Sequence, residues 1–296
     1  MSDARRAVIW LMALAMTIVA GDRLLAAVLQ KVLVRSEFRY SRLYRGGNHA
    51  EILILGDSRG VHSFYAPAIE ELTGLRAFNL SYNSMSSRIA EALLLDYLDH
   101  NPPPRMVVVE ATSATVSGAL TGELRTYAGF SPRLAALYAE KHPFAAAAGR
   151  VFHLLPLNSE LFLEALHYMR RTDQDWIHQE AMPASLRAPG GTWRLAPYRG
   201  QVDALARIVR LMHQRGIEVR LVVAPYAPVK QPSNAPEFAG LIARQTATRV
   251  WNYAAAVDDL DAFADTVHLN ERGSRAFLRM LVRDGAFSAR TSRPFK

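Results

Sequence analysis

Five short, mostly apolar runs constrain this chain more than anything else in it. They cover 52–55, 77–80, 106–109, 219–224 and, more weakly, 249–253. Each is only a few residues long and is stopped by Gly, Pro or a polar cluster. Runs of this kind read as strands buried on both faces. Between them lie helical patterns at 67–72, 87–98, 202–214, 238–246 and 273–282. The second carries an apolar stripe at Ile89, Leu93, Leu94 and Tyr97. Strand and helix in alternation predict a three-layer α/β domain with about five mostly parallel strands. Side chains that do chemistry in such a sheet gather at the carboxyl ends of its strands.

The stretch from about 115 to 197 breaks this rhythm. It is rich in alanine and aromatics, with helical patterns near 134–140 and 160–170. It reads as an insertion over the sheet edge or the site. Residues 35–50 read as a linker along a membrane surface, 51–285 as the α/β domain, and 286–296 as a basic tail.

Bulk properties remove several function classes. The chain has 296 residues, half of them apolar, so a disordered reading fails. The formal net charge of +8 suits an anionic polymer or membrane surface. The basic residues are scattered, with concentrations only at Arg5-Arg6, Arg170-Arg171 and the last seven residues. None interleaves with aromatics, so no nucleic-acid partner is expected. Without cysteine, disulfides, thiolate catalysis and thiolate-bound zinc are out. His49, His62, His142, His153, His167, His178 and His213 show no ligand spacing with carboxylates, so neither a metal nor any other cofactor is expected. Asp173-Gln174-Asp175 resembles a fragment of a calcium loop but lacks its glycine and closing Glu. Glu160 and Glu164, one helical turn apart, read as water-facing.

At the N-terminus, Arg5 and Arg6 precede an apolar run from Ala7 to Gly21, which Asp22 and Arg23 interrupt. At ~15 residues this is shorter than the ~20 that comfortably cross a bilayer, and it matches the apolar region of a signal peptide. Val19-Ala20-Gly21 offers small residues for cleavage, without a good A-x-A pattern. Leu24, Leu25, Val28, Leu29, Val32 and Leu33 continue the run at helical spacing. That continuation favours an uncleaved anchor over residues 1–34. In either case the arginines hold the N-terminus in the cytoplasm. The rest of the chain then faces the periplasm or cell exterior, tethered to the inner membrane.

Two motifs carry chemistry. Leu55-Gly56-Asp57-Ser58 places a serine directly after the first strand, where a turn exposes it at the sheet's carboxyl end. Asp57 or Ser58 could equally be a helix N-cap. Asp265-Thr266-Val267-His268 precedes the last helix. A serine nucleophile needs a base, and the base needs an acceptor on its other nitrogen. D-x-x-H on one loop supplies both. Trp193, Arg194 and Tyr198 could stack on a sugar or anchor the insertion, and Tyr226 follows the fourth strand.

With both motifs in hand, the sequence resembles the SGNH (GDSL) hydrolase superfamily. Gly56-Asp57-Ser58 resembles its first block and Asp265-x-x-His268 its last. Asn79-Leu80-Ser81-Tyr82-Asn83-Ser84 resembles its second, with Ser84 where a glycine is usual. Val107-Val108-Val109-Glu110 resembles the strand leading to its third. The resemblance implies Ser58 as nucleophile, His268 as base and Asp265 as its orienting acid. It also implies an oxyanion hole that includes the N–H groups of Ser58 and Ser84. The third-block Asn is missing; Ala111-Thr112-Ser113-Ala114 stands there, leaving Thr112, Ser113 or Asn83 as substitutes. Loss of one such donor costs on the order of 10²–10³ in rate.

Anchor, serine site and altered third block together are similar to a membrane-anchored branch that includes alginate O-acetylation and teichoic-acid D-alanyl transfer proteins. The resemblance implies an acyl-ester hydrolase or O-acyltransferase acting on envelope polysaccharide or lipid, with a membrane acyltransferase as a candidate partner. A catalytically silent relative that binds glycan or scaffolds such an acyltransferase is the other expectation.

Overall fold

A computed structural model describes residues 3–171 and 176–288. Asp173-Gln174-Asp175 and the basic tail from Arg290 to Lys296 lie outside the described residues. In chain order the elements begin with α1 (Asp3–Leu33), α2 (Arg39–Arg45), β1 (Ile52–Leu55), α3 (Ser58–Ser63) and α4 (Ala66–Thr73). There follow β2 (Ala77–Asn79), α5 (Ser87–His100), β3 (Met106–Glu110), α6 (Pro132–Lys141), α7 (Pro143–Val151) and α8 (Glu160–His167). The chain closes with α9 (Arg199–Gln214), β4 (Glu218–Val223), α10 (Ala235–Thr246), β5 (Val250–Asn252) and α11 (Glu271–Arg283).

Two compact units result. One joins Gly46–Leu120 to Asp173–Lys296 and contains the sheet. Its five strands run in the order β2-β1-β3-β4-β5, every pairing parallel. Strand side chains alternate between faces. Ile52, Ile54, Met106, Val108 and Val222 thus form one core with Ile69 of α4 and Phe277, Leu278 and Leu281 of α11. The opposite face lies under α5, α9 and α10, which contact one another in that order. Two helices stop where a glycine turns left-handed, at Gly74 after α4 and Gly216 after α9. The strand order reverses between β1 and β3, which puts the topological switch point of the sheet at their carboxyl ends.

Gly56 serves the β1-to-α3 turn through its lack of a side chain and not through a left-handed backbone. Its φ is not left-handed. A Cβ there would come within 2.7 Å of Cβ of Glu110, so the turn needs hydrogen at that point to pass β3.

The other unit joins Met1–Arg45 to Thr121–Thr172. The expected insertion is therefore divided: 121–172 belongs with the N-terminal segment, and the rest with the sheet. The expected linker is not one. Residues 39–45 form α2, in which Arg39, Tyr40, Ser41, Leu43 and Tyr44 are buried. Ser41 Oγ and Tyr127 Oη are 2.8 Å apart, and the Tyr44 ring stacks on Tyr127 and Phe130. These aromatics supply the apolar area that keeps the segment off the surface.

α1 is long and apolar enough to cross a membrane, and none of its most apolar window is buried. Val8, Trp10, Leu11, Leu14 and Met16 are all exposed. Only the second half packs, through Ala26 and Leu33. A core helix would show the reverse; α1 has the length, apolarity and exposure that a membrane anchor or a signal segment needs.

Candidate active site

Ser58 is the first residue of α3. The cap that the sequence left to either of two residues falls to Asp57, whose Oδ1 accepts the N–H of Arg59 at 2.9 Å. The serine hydroxyl is thereby left for another partner: Oγ lies 2.7 Å from Nε2 of His268. The α3 backbone is held by Asn79 at the end of β2, whose Nδ2 donates to the carbonyls of Gly60 and Phe64.

His268 sits on a loop shaped by Asp265. Asp265 Oδ1 accepts the N–H groups of Val267 and His268 at 2.8 and 2.9 Å. Its Oδ2 lies 2.7 Å from Nδ1 of His268. One carboxylate therefore both folds the turn and orients the ring. With Nδ1 donating to Asp265, Nε2 presents its lone pair to the Ser58 hydroxyl. Burial alone would raise the Asp265 pKa, but the His268 bond and the two backbone donors outweigh it and hold the carboxyl well below the usual range. Asn270 caps α11, accepting from Gly273 N–H at 3.0 Å and donating to the carbonyl of Asp261 at 2.8 Å. The loop thus enters the final helix at a defined angle.

Behind the serine lies a buried charge cluster. Arg59 is almost fully buried. Its Nη1 donates to the carbonyl of Val267 at 2.9 Å and its Nη2 to that of Ala224. Nε stands 3.5 Å from Glu110. Glu110 is completely buried and accepts from the N–H and hydroxyl of Thr112 and the N–H of Ala224. Burial, reinforced by the neighbouring Asp57 charge, pushes Glu110 up to about 7. Burial raises Asp57 as well. Two carboxylates around one guanidinium cannot both ionise cheaply, so the cluster favours holding a proton.

The expected oxyanion donors separate. Ser84 lies at φ +58° in the turn from Tyr82 to Met85, where Met85 N–H meets the Tyr82 carbonyl at 3.0 Å. This is the left-handed region that a glycine enters without strain, so Ser84 holds a backbone conformation that its side chain resists. Asn83 is exposed beside it. As the first residue of α3, Ser58 has no intrahelical carbonyl for its N–H. Thr112 and Ser113 are corrections. Both are buried, and their hydroxyls are engaged inward, Thr112 with Glu110 and Ser113 with Ser87 at 3.0 Å. The 3₁₀ turn after β3 points them into the core.

Spacing alone excluded a metal set, but the fold brings three separate groups together. Ligand atoms of His178, Asp265 and His268 lie within 4.8 Å of one another. Both nitrogens of His268 already have partners, so an ion there would compete with the Ser58–His268–Asp265 chain. His62 stacks on His178 with centroids 4.1 Å apart and meets His268 edge-on at 5.1 Å. Burial, together with nearby His268, pushes the His178 pKa down. Trp193 resolves toward anchoring, with Nε1 on the carbonyl of Lys230 and its ring edge-on to Tyr226.

No family model and no curated protein matches this chain. Among the solved structures that match is one aligned along 96% of this chain and 99% of its own length, at 12% identity and a TM-score of 0.42. It is described as "a putative platelet activating factor from Streptococcus pneumonia". What the site can do rests on its own atoms.

Sequence reasoning missed Arg59, Glu110 and His178. A Glu closing an apolar strand, and an Arg one residue past the serine, were the signals for the first two. His178 carried none.

Proposed function

We propose that this chain is a serine-dependent acyl-ester hydrolase or O-acyltransferase of the SGNH type, with Ser58, His268 and Asp265 as its catalytic residues. One observation carries the reading: the two consecutive 2.7 Å contacts from Ser58 Oγ through His268 to Asp265 at the carboxyl end of β1. Ser58 Oγ attacks the acyl carbonyl carbon while its proton passes to His268 Nε2. The oxyanion is met by the N–H groups of Ser58 and Ser84, with Asn83 the side-chain candidate that remains. Collapse expels the alcohol, which takes the proton from His268. Water or a sugar hydroxyl then attacks the acyl-serine, giving up its proton to His268; the Oγ–acyl bond breaks, Ser58 Oγ takes that proton back, and free acid or a new ester leaves. With Thr112 and Ser113 turned inward, the hole lacks a third-block side chain, which suits slow deacylation or transfer.

The long, exposed, apolar N-terminal helix and the excess positive charge support an acylated envelope glycan or lipid as substrate. In this reading the site faces the periplasm or cell exterior, and a membrane acyltransferase is its candidate donor. The inward Thr112 and Ser113 also favour a second reading, a silent relative that binds glycan. A fluorophosphonate probe separates the two. Labelling of the native chain that vanishes in Ser58→Ala is expected. A folded chain that never labels overturns the enzyme reading.

A further inference from the structure

Asp22 interrupts the apolar face of α1, and its use is visible. Its two carboxylate oxygens accept the N–H groups of His153 and Leu154 at 2.8 and 3.1 Å. The turn that follows α7 is thus pinned to α1 at one level. Counting from Ala7, the first residue after Arg5 and Arg6, that level is about 22 Å along the helix at about 1.5 Å per residue. A hydrocarbon core is about 30 Å thick, so Asp22 falls about 8 Å inside its far edge, within the ~5–10 Å to which an in-plane helix sinks its apolar face.

The pinned segment is shaped for that boundary. α7 has no buried residue. Phe144 is 91% exposed, and Val151, Phe152 and Leu155 are exposed as well. Phe144, Ala147 and Val151 lie on one helical face. From Lys141 through Ser159 there is no acidic residue, while Lys141 and Arg150 are basic. Apolar side chains on one face, with cations and no carboxylate beside them, fit a headgroup boundary with anionic lipid.

We infer that residues 143–155 form an in-plane membrane contact, seated on an anionic lipid surface and held there by Asp22. The inference rests on the reading that α1 enters the bilayer. It makes the N-terminal unit a two-point attachment rather than a single tether.

The chain has no native cysteine, so single labels report cleanly. An environment-sensitive NBD group is placed on Phe144→Cys or Phe152→Cys in the full chain. Leu14→Cys marks α1, and Gln214→Cys is the aqueous reference. Each protein is reconstituted in vesicles of phosphatidylcholine and phosphatidylglycerol carrying brominated acyl chains. Blue-shifted, bromine-quenched emission at 14, 144 and 152 is expected, with neither effect at 214. Adding Asp22→Ala should return the label at 152 to an aqueous signal while 14 stays quenched; no change there removes Asp22 from the contact. If 14 is quenched but 144 and 152 behave as 214, the lipid contact is wrong and the face is left for a protein. If 14 is aqueous too, the α1 reading falls and takes this inference with it.

Discussion

The guanidinium carbon of Arg59 lies 3.4 Å from the centroid of the Tyr226 ring. Stacked there, the guanidinium reaches the carbonyls of Val267 and Ala224. The residue next to Ser58 thereby ties the serine helix to the loop that carries Asp265 and His268. A flat, forked cation suits this place, because one face stacks while the edge donates.

Arg59→Lys should therefore hold its charge but lose the bidentate grip. Fluorophosphonate labelling is expected to slow by about 10- to 100-fold with a small change in melting temperature. Arg59→Ala leaves Glu110 and Asp57 buried without a counter-charge and should cost about 3–5 kcal/mol in denaturant titration. Equal labelling rates for wild type and Arg59→Lys would remove Arg59 as a positioning residue.

Asp265→Asn disturbs a different step. The amide can still accept from the loop N–H groups, but it favours the wrong tautomer of His268. Labelling should drop on the order of 10⁴-fold, as in other serine triads with this change. Melting should move little, since the side chain is partly exposed. A rate within tenfold of wild type would mean that His268 does not work through Asp265.

Ser84 holds a left-handed backbone that a side chain resists. Ser84→Gly should stabilise the fold by about 1 kcal/mol, and Ser84→Val should destabilise it by a similar amount. Labelling should survive in Ser84→Gly, because the proposed donor is the backbone N–H. Thermal melts and probe kinetics on the pair test both points.

The buried cluster sets a pH dependence. Glu110 is pushed up to about 7, against about 4.3 in an unfolded chain. Between those values the folded chain keeps a proton that the unfolded chain has lost, so stability falls as pH rises through the window. Asp265 runs the opposite way. Its depressed pKa adds stability above about 3.9, and this is lost as pH drops below it. Melting temperature should decline from about pH 5 to about pH 8, and decline less in Glu110→Gln. An unchanged slope in that variant would place the proton elsewhere.

His178 offers a fifth check. Zinc should slow labelling by drawing His268 away from Ser58, and His178→Ala should weaken that inhibition. Chelators should leave the wild-type rate unchanged. A rate that instead collapses on chelation would assign the site to a metal.

Much of the sheet was legible before any coordinates. Runs such as Met106–Val109 have nowhere to go but a doubly covered sheet, and the observed β3 is those residues plus Glu110. The serine and the D-x-x-H loop were legible too, since each sits at an element end where local rules apply. Thr112 and Ser113 were misread because a strand's last residues reveal neither which side the next turn takes nor what waits in the core. Residues 35–50 looked like a surface linker because their polar atoms are visible in sequence, whereas the Tyr127 and Phe130 rings that cover them are not adjacent.

Local pattern, set by backbone periodicity and side-chain polarity, determined the α/β class, the N-terminal apolar helix and the two loops with chemical potential. Tertiary structure decided what those loops do to each other. It placed Ser58 against His268 across 210 positions of sequence, made Asp57 the cap, and built the Arg59–Glu110 cluster behind them. It also bound Asp22 to a turn 131 positions away. Such pairings are chosen by which buried polar groups find partners when the whole chain collapses, and no short window of sequence contains both members.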